Sequence, residues 1–286
     1  MEMKNIVAKL GWRIERLGKA IRSWNGGMMD PTPPVSVHPT WVEVGSGPCC
    51  GVRLCLIPNG TFEGMIAGTY DDFIYRRLDQ QGYELQGKVV WDVGAHFGYH
   101  TLAFAKRVGP TGKVVAFEPN LANLKRLNLH LAANENLSSV VTVKECALGD
   151  SDGQETLRFS EDVNGGRSTC SYLDHGQPPG DRVSPKVYTS FAEGAVQVWK
   201  GDTLVKGQGC PPPAFMKIDV EGSEYLVLKG ATGLIARQRP TIAMEVHNIT
   251  CMFFVQALLT ELGYQLELLN DGAHSASRCF VLAWPR

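Results

Sequence analysis

An acidic side chain and two glycines stand together where an apolar run of this chain ends. The run Val89–Val93 contains Asp92 and is followed by Gly94 and Gly98. Glycines allow a backbone to approach a ligand closely, so this segment is typical of a strand-to-helix turn at a nucleotide site. Its spacing differs from the G-x-G-x-x-G of dinucleotide-binding turns. Because a phosphate prefers bare helix N–H groups, a carboxylate at this turn favours a cationic or hydroxyl-bearing ligand.

A second acid ends the next apolar run. Glu118 closes the run Lys113–Phe117, and Pro119 prevents the strand from continuing. S-adenosylmethionine fits such a pair of acids, because its amino group and sulfonium are positive and its ribose has two hydroxyls. We therefore interpret Asp92, Gly94, Gly98 and Glu118 together as an S-adenosylmethionine site.

Further titratable groups follow two later apolar runs. Asp219 and Glu221 come after Phe215–Ile218, and Glu245 and His247 lie near the end of the run that starts at Thr241. Parallel strands present their carboxyl ends at one edge of a sheet, where ligands bind, so we expect all four side chains near the reacting group. They are the candidate bases that remove a proton from a hydroxyl acceptor. His247 titrates nearest neutral pH and is the simplest of them.

Other roles for the same residues stay open. His247 could be a structural histidine, and Glu221 and Glu224 could cap the helix that follows them. The candidate bases could also hold a divalent metal ion that acidifies the hydroxyl, although we do not predict a metal. His96 and His100 lie in the cofactor turn and its helix, where cofactor contact or helix packing is expected rather than catalysis.

The elements that position these residues alternate between strand and helix, as in a parallel α/β sheet. Two last runs joined by the turn signal at 270–272 predict an antiparallel finish. The predicted core strands are 89–93, 114–117, 140–143, 215–218, 241–247, 264–269 and 279–284, and the predicted helices include 101–108, 121–133 and 253–262.

Composition excludes several classes of protein. The chain has 286 residues, a net charge of -1 and a pI near 6.7, which give no electrostatic reason to expect a nucleic-acid partner. Eight cysteines are scattered without zinc-ligand spacing, so we expect reduced thiols in a cytoplasmic protein. We find neither a transmembrane stretch nor a signal peptide and expect a soluble enzyme.

The N-terminal region looks like an extension of the enzyme domain. Residues 4–24 have the pattern of a basic amphipathic helix that docks on its own domain, on a second subunit of a homo-oligomer, or on an anionic membrane surface. The glycines and prolines of 25–34 predict a linker, and the short alternating runs of 41–58 predict a small β-hairpin or an extended cap. We therefore divide the chain into an extension, 1–60, and the main domain, 61–286.

Two segments of the main domain invite a functional interpretation. Gly68–Asp71 precedes a predicted helix within 59–87 and either caps it or closes over the cofactor. Residues 160–213 contain many Gly, Pro and Ser residues with little sign of regular structure. We expect this insertion to face the substrate and help to select the acceptor.

Four motifs identify a family. The chain resembles the FkbM family of S-adenosylmethionine-dependent methyltransferases from about residue 60 to its C-terminus, and the last motif is the most specific. A departure is the segment Trp199–Leu204, which stands where the family commonly has a Thr-Leu-Asp-Asp-like stretch. The motifs are Val90-Trp-Asp-Val-Gly-Ala-His-Phe-Gly-Tyr-His100, Ala116-Phe-Glu-Pro-Asn120, Ala147-Leu-Gly-Asp150 and Lys217-Ile-Asp-Val-Glu-Gly-Ser-Glu224.

The resemblance implies a fold, a reaction and a set of cofactor contacts. The fold is the Rossmann-like class I methyltransferase fold, with a seven-stranded, mostly parallel sheet of order 3-2-1-4-5-7-6 and helices on both faces. The reaction is methyl transfer, usually to a hydroxyl oxygen, here of a small molecule or glycan. Asp92 and the turn Gly94, Ala95, His96, Phe97 and Gly98 would hold the methionine part, Glu118 the ribose, Cys146 and Ala147 the adenine edge, with Pro119, Asn120 and Asp219 as further contacts.

Two other functions were weighed. An NAD- or nucleotide-sugar-dependent oxidoreductase is disfavoured by the absence of G-x-G-x-x-G from the turn. A non-catalytic, cofactor-binding scaffold protein is disfavoured by the acids that stand at several predicted strand ends.

Overall fold

The computed structural model describes residues 39–57, 62–160, 171–173, 191–269 and 279–286. The predicted amphipathic helix at 4–24, the linker after it and the turn at 270–272 lie outside the described residues. The strands are β1 (Thr40–Glu43), β2 (Arg53–Leu56), β3 (Val89–Val93), β4 (Lys113–Phe117), β5 (Val141–Lys144), β6 (Ala147–Leu148), β7 (Gly153–Ser160), β8 (Ser171–Leu173), β9 (Phe191–Trp199), β10 (Phe215–Ile218), β11 (Thr241–Val246), β12 (Tyr264–Leu269) and β13 (Cys279–Pro285). The helices are α1 (Glu63–Ala67), α2 (Asp72–Gln80), α3 (Tyr99–Val108), α4 (Leu121–Ala133), α5 (Glu135–Ser138), α6 (Gly201–Gly207), α7 (Glu224–Gly230), α8 (Thr232–Gln238) and α9 (Ile249–Glu261).

Seven strands form the main sheet in the spatial order β5-β4-β3-β10-β11-β13-β12. Strands β5 to β11 of that order are parallel, whereas β13 is antiparallel to both of its neighbours. Counting only these seven strands along the chain gives 3-2-1-4-5-7-6. The predicted mostly parallel sheet and its antiparallel finish are confirmed.

Each central strand is covered on both faces. In β3, Val90 joins one apolar cluster with α1 to α4, whereas Trp91 and Val93 join another with α6 to α9. In β4, Val114 and Val115 divide between the same two clusters. This alternation explains why the strands read as continuous apolar runs, since side chains on both faces of a doubly covered sheet are buried.

The β-hairpin near the start of the described chain shares its core with the sheet. Strands β1 and β2 pair antiparallel, as the sequence predicts, and Leu54 and Leu56 pack in the cluster that also contains Val90. Asn134 at the end of α4 ties the hairpin down, because its side chain exchanges hydrogen bonds of 3.0 and 2.8 Å with the backbone of Arg53. The domain boundary at residue 60 stays a prediction.

A second sheet occupies much of the segment after residue 147. Its order is β6-β9-β7-β8, and β9 pairs antiparallel with β7 over the whole length of β7. The expectation that 160–213 has little regular structure is wrong for β8, β9 and α6. Glycine at 194 and the charged and polar residues of β9 weaken the apolar signal, but pairing with β7 supplies its backbone hydrogen bonds.

Helix α9 starts four residues before its predicted start at 253. Asn248 explains the earlier start, because its side chain accepts a hydrogen bond of 2.7 Å from the Cys251 N–H and caps the helix. The longest described helices, α4 and α9, have 13 residues each. Among the described helices, none has the length and apolar character that crossing a bilayer requires. The seven described cysteines are free thiols.

Candidate active site

The turn between β3 and α3 brings two neighbouring strand ends into close contact. Gly94 has φ +80°, and a Cβ atom there would lie 1.8 Å from the carbonyl oxygen of Asp219, which follows β10. Gly98 has φ +95°, and its Cβ would lie 2.4 Å from Cδ1 of Leu127 on α4. Glycine is required at both positions by conformation and by space. The two glycines therefore let the turn pack tightly against its neighbours.

Glu118, at the end of β4, is buried and held by three donors. Its Oε2 accepts from the His96 N–H at 2.8 Å, and its Oε1 accepts from the Asn120 N–H at 2.9 Å and from Nδ2 of Asn123 at 3.2 Å. Burial raises the pKa of Glu118 to about 7, against the opposing effect of these hydrogen bonds and of the Lys217 charge. A carboxylate has about four acceptor positions, so capacity remains for a ligand hydroxyl.

Asp92 and Lys217 form a buried charged pair behind the turn. Asp92 is fully buried, and its Oδ2 accepts from Oγ1 of Thr101 at 2.6 Å. Nζ of Lys217 lies 3.8 Å from Oδ1 of Asp92 and 3.1 Å from Oδ2 of Asp219. Burial lowers the pKa of Lys217, but the charges of Asp219 and Asp92 raise it above its ordinary value overall. Lys217 therefore links the ends of β3 and β10.

Four side chains from the ends of β10 and β11 converge, and we call Asp219, Glu221, Glu245 and His247 the acid–histidine cluster. Nε2 of His247 lies 3.7 Å from Oδ1 of Asp219, 3.6 Å from Oε2 of Glu221 and 3.6 Å from Oε1 of Glu245. Nδ1 of His247 forms a hydrogen bond of 2.8 Å with Oε1 of Glu224. Three carboxylates therefore face one nitrogen of the imidazole while a fourth binds the other.

The cluster favours positive charge at its centre. Burial lowers the pKa of His247, but the hydrogen bond to Glu224 and the charges of Glu221, Glu224 and Asp219 raise it well above its ordinary value. Burial also raises the pKa of Asp219, but the charges of Lys217 and His247 bring it well below its ordinary value. The surrounding carboxylates thus favour a proton on His247. This differs from the expectation of a base that titrates near pH 7.

A cavity of about 210 Å³ lies at the carboxyl ends of the strands. It brings together most of the predicted cofactor and catalytic residues. Asp92, Ala95, Phe97, Gly98, Asn120 and His247 do not line it, although His247 contacts three residues that do. The predicted residues that line it are Gly94, His96, Glu118, Pro119, Cys146, Ala147, Asp219, Glu221 and Glu245.

The cavity wall fits a polar, hydroxyl-bearing cofactor. Oδ1 of Asn123 and Oγ of Ser223 are buried and have no hydrogen-bond partner among the described residues, and both residues line the cavity. Buried polar atoms are nearly always paired, so Asn123, which binds Glu118, points to a group of the cofactor. Ser223, two residues after Glu221, points to a second bound group beside the acid–histidine cluster. The absence of a side chain at Gly94 leaves backbone exposed beside them.

A larger cavity of about 860 Å³ shares Pro119 and Leu157 with the first. Its walls come mainly from α4, β7 and β9, and the acid–histidine cluster does not line it. Chemistry needs converging titratable groups rather than volume, so we place the active site in the smaller cavity.

Sequence reasoning missed several residues of the site. Lys217 stands inside a buried strand, and a charge in an otherwise apolar run signals a buried partner. Asn123, in the first turn of α4, could have been found as a polar residue next to the predicted ribose site. Ser223 also lines the cavity, and no spacing rule singles it out. Tyr70 lines it as well and belongs to the segment Gly68–Asp71, for which closure over the cofactor is one of the two expectations.

The segment Gly68–Asp71 does not cap α2 with a side chain, and Asp71 pairs with His100 instead. Asp71 occupies the N-cap position with φ 48°, but its side chain caps no backbone N–H. Instead its Oδ2 lies 3.3 Å from Nε2 of His100, whose Nδ1 is 2.7 Å from the Tyr75 hydroxyl. Asp71 thereby fixes Tyr70, which lines the cavity. His100 packs in the core, while His96 reaches the cavity.

Two known methyltransferases are similar in sequence to part of this chain. The hexuronic acid methyltransferase AglP of Haloferax volcanii is 28% identical over 180 residues, which cover 63% of this chain and 64% of AglP. The methyltransferase sdnD of Sordaria araneosa is 27% identical over 153 residues, which cover 49% of this chain and 58% of sdnD. The chain thus spans less than two thirds of the length of either relative.

A solved structure and a family match complete the comparison. The crystal structure of methyltransferase FkbM from Methylobacillus flagellatus has a TM-score of 0.49 and 20% identity, over 70% of this chain and 44% of that one. Residues 92–266, more than half of the chain, match the Methyltransferase FkbM domain. The chain therefore belongs to the FkbM family of methyltransferases, whose methyl donor is S-adenosylmethionine.

Proposed function

We propose that this chain transfers a methyl group from S-adenosylmethionine to a hydroxyl oxygen of a small molecule or glycan. The observation that carries the proposal is a single cavity lined by Glu118 at the cofactor side and by three carboxylates of the acid–histidine cluster. Carboxylates that meet beside a cofactor site provide what a hydroxyl acceptor needs, namely a hydrogen-bond acceptor that also takes its proton.

The cofactor side of the cavity has the groups to bind the donor. When bound, S-adenosylmethionine supplies a methyl group on a positively charged sulfur. Glu118 would accept hydrogen bonds from the ribose, and the turn at Gly94 would lie along the methionine part. A contact between Asp92 and the methionine stays a prediction. Oδ1 of Asp92 accepts no hydrogen bond from the described residues, but the residue lies behind the turn.

The chemical step is an in-line displacement. The acceptor oxygen forms a bond to the methyl carbon while the carbon–sulfur bond breaks, and its electron pair remains on the sulfur. The hydroxyl proton passes to a group of the acid–histidine cluster, for which Asp219, Glu221 and Glu245 line the cavity. Most of the rate would come from holding the oxygen in line and from excluding water.

The acids also restrict the acceptor. Carboxylate oxygens only accept hydrogen bonds, so they match the donor hydroxyls of a sugar or polyol. They repel an anionic group placed next to them. AglP is named for a hexuronic acid, and in such an acceptor the reacting hydroxyl rather than the carboxylate would face the cluster.

The insertion contributes to the same cavity. Ser171 and Leu173 of β8 line it, and Oγ of Ser171 accepts a hydrogen bond of 2.9 Å from Nδ2 of Asn120. These contacts support a role of residues 160–213 in selecting the acceptor.

The test combines binding with transfer. Titration calorimetry should show binding of S-adenosylhomocysteine, and incubation with methyl-labelled S-adenosylmethionine should label hydroxylated saccharides and small alcohols. A matched set of deoxy compounds, each lacking one hydroxyl, should lose the label at one position. Labelling of an amine panel but of no hydroxyl compound would refute the O-methylation. Tight NAD binding without any response to S-adenosylhomocysteine would favour an oxidoreductase instead.

A further inference from the structure

The acid–histidine cluster has the spacing of a metal-binding site. Asp219, Glu245 and His247 each offer one ligand atom, and these three atoms lie within 4.8 Å of one another. Oε2 of Glu221 is 3.6 Å from Nε2 of His247. Ligands bound at about 2.0–2.6 Å from a divalent ion lie about 3–5 Å apart. The observed separations fall in that range, and they are longer than direct hydrogen bonds.

A carboxylate binds the imidazole nitrogen of His247 that faces away from the cluster, as is usual for metal-binding histidines. Glu224 is fully buried, and its Oε1 accepts from Nδ1 of His247 at 2.8 Å and from the Gly222 N–H at 2.9 Å. A carboxylate only accepts, so Nδ1 is the protonated nitrogen. After Nε2 releases its proton to solvent, it can present a lone pair beside the three carboxylates, a position that suits a cation between them.

An independent observation points to a ligand at the same place. The hydroxyl of Ser223 is buried, with the residue 2% exposed, and it has no hydrogen-bond partner among the described residues. Ser223 lines the same cavity as Asp219 and Glu245. A hydroxyl in this position can bind an ion or a water of its hydration shell, and its own burial is otherwise unfavourable.

We propose that Asp219, Glu245 and His247 bind a divalent cation of the Mn²⁺ class, with Glu221 and Ser223 beside it. Two carboxylates and one imidazole form a mixed oxygen and nitrogen set, which suits Mn²⁺ better than a soft, thiolate-seeking ion. The use of the ion rests on the proposed function, because a bound cation would acidify the acceptor hydroxyl next to the carboxylates. Binding of the ion does not depend on that function.

The experiment measures Mn²⁺ binding to the whole chain by electron paramagnetic resonance and calorimetry. Mn²⁺ is the chosen probe because the free cysteines would bind Zn²⁺ elsewhere. We expect one ion per chain, with affinity at least tenfold lower in Glu245→Gln and in His247→Ala. Glu224→Gln should lower it by about 10–100-fold through the histidine. Glu135→Gln, at an exposed position on α5, is the matched control and should bind like the wild type.

The outcomes separate the ion from the reaction. Binding of S-adenosylhomocysteine verifies that each variant is folded. Absence of stoichiometric Mn²⁺ in wild-type protein that binds S-adenosylhomocysteine would overturn the cation site, as would equal binding to wild type and both cluster variants. Hydroxyl methylation that EDTA leaves unchanged would overturn the ion's part in the reaction while the methyltransferase proposal stands. Mn²⁺ binding without hydroxyl methylation would leave the site and refute the proposed function.

Discussion

The two ends of the active-site cavity differ in how the protein compensates their carboxylates. At one end, the single carboxylate of Glu118 receives three hydrogen-bond donors from residues near it in sequence or in the adjoining turn. At the other, three carboxylates of the acid–histidine cluster face one nitrogen of His247. The Glu118 end is thus nearly complete in the protein alone. The cluster has more negative charge than its side chains neutralise, so it needs a proton, a hydroxyl or a cation from outside.

Lys217 contacts Asp92 and Asp219 behind the turn, and its removal should have the largest effect. Lys217→Met would leave the buried Asp92 and the half-buried Asp219 without their cation, which should lower the free energy of unfolding by about 3–5 kcal/mol. Urea denaturation followed by circular dichroism measures the loss. Lys229→Met removes a solvent-exposed lysine paired with Asp150 and should leave the midpoint nearly unchanged. Equal midpoints for the two variants would contradict a central role for the buried lysine.

Replacement of His247 should affect the acid–histidine cluster and spare the Glu118 end. His247→Ala removes the imidazole nitrogen that the three carboxylates face, so turnover should fall about 100-fold. The dissociation constant of S-adenosylhomocysteine should change less than threefold. Steady-state kinetics and calorimetry on the same preparation test the division. Unchanged turnover would remove His247 from the reaction, and equal losses in both measurements would show that the two ends are not independent.

Glu118 should make cofactor affinity dependent on pH. Its pKa is raised to about 7 by burial, so between its ordinary value and pH 7 the folded state holds a proton that the unfolded state loses. Stability from this group therefore declines as pH rises through that window. Affinity changes in the opposite direction, since the ionised carboxylate is the stronger acceptor for ribose hydroxyls.

Calorimetry at pH 6 and 8 tests this prediction. S-adenosylhomocysteine should bind more tightly at pH 8 to the wild type, and Glu118→Gln should bind about tenfold more weakly with a flat profile. A variant that keeps the wild-type pH dependence would assign it to another group.

The smallest effect is expected from Asn123, which supports Glu118 and presents an unpaired oxygen to the cavity. Asn123→Ala removes one of three hydrogen bonds to Glu118, and affinity for S-adenosylhomocysteine should fall about threefold. Turnover at saturating cofactor should not change. A loss of turnover without a loss of affinity would move Asn123 from the cofactor side to the reaction.

The sequence predicts the Glu118 end better than the cluster, for a physical reason. Glu118, Asn120 and the turn at Gly94 lie within short motifs in which strand end, turn and helix start follow one another along the chain. Local spacing therefore carries their arrangement. The strands of the main sheet were equally accessible, because doubly covered strands leave continuous apolar runs. Their spatial order came from the resemblance to the FkbM family.

The arrangement of the acid–histidine cluster depends on contacts between residues far apart in the sequence, which the spacing within a motif does not predict. The acids were identified from their places at strand ends, but the hydrogen bond between Glu224 and His247 joins residues 23 positions apart. That contact, with the surrounding carboxylates, raises the pKa of His247 above its ordinary value, in contrast to the expected base that titrates near pH 7. Strand β9 was missed for a related reason. Its partner β7 ends at Ser160, whereas β9 begins only at Phe191, so the pairing joins residues far apart in the sequence.

The short strand β6 of the second sheet contributes to two apolar cores, since Leu148 packs with the main sheet and Ala147 with the second sheet. Ala147 and Leu148 of β6 pair with Val198 and Trp199 of β9, and the Gly149 N–H donates to the Trp199 carbonyl at 3.1 Å. Backbone pairing therefore connects β6, which lines the cavity, directly to β9 of the insertion. Under the proposed role of the insertion, a change of residues within 160–213 would alter which acceptor is admitted without rebuilding the cofactor side of the cavity. The β6–β9 pairing also marks a place at which an insertion from a relative could be grafted in order to exchange acceptor specificity.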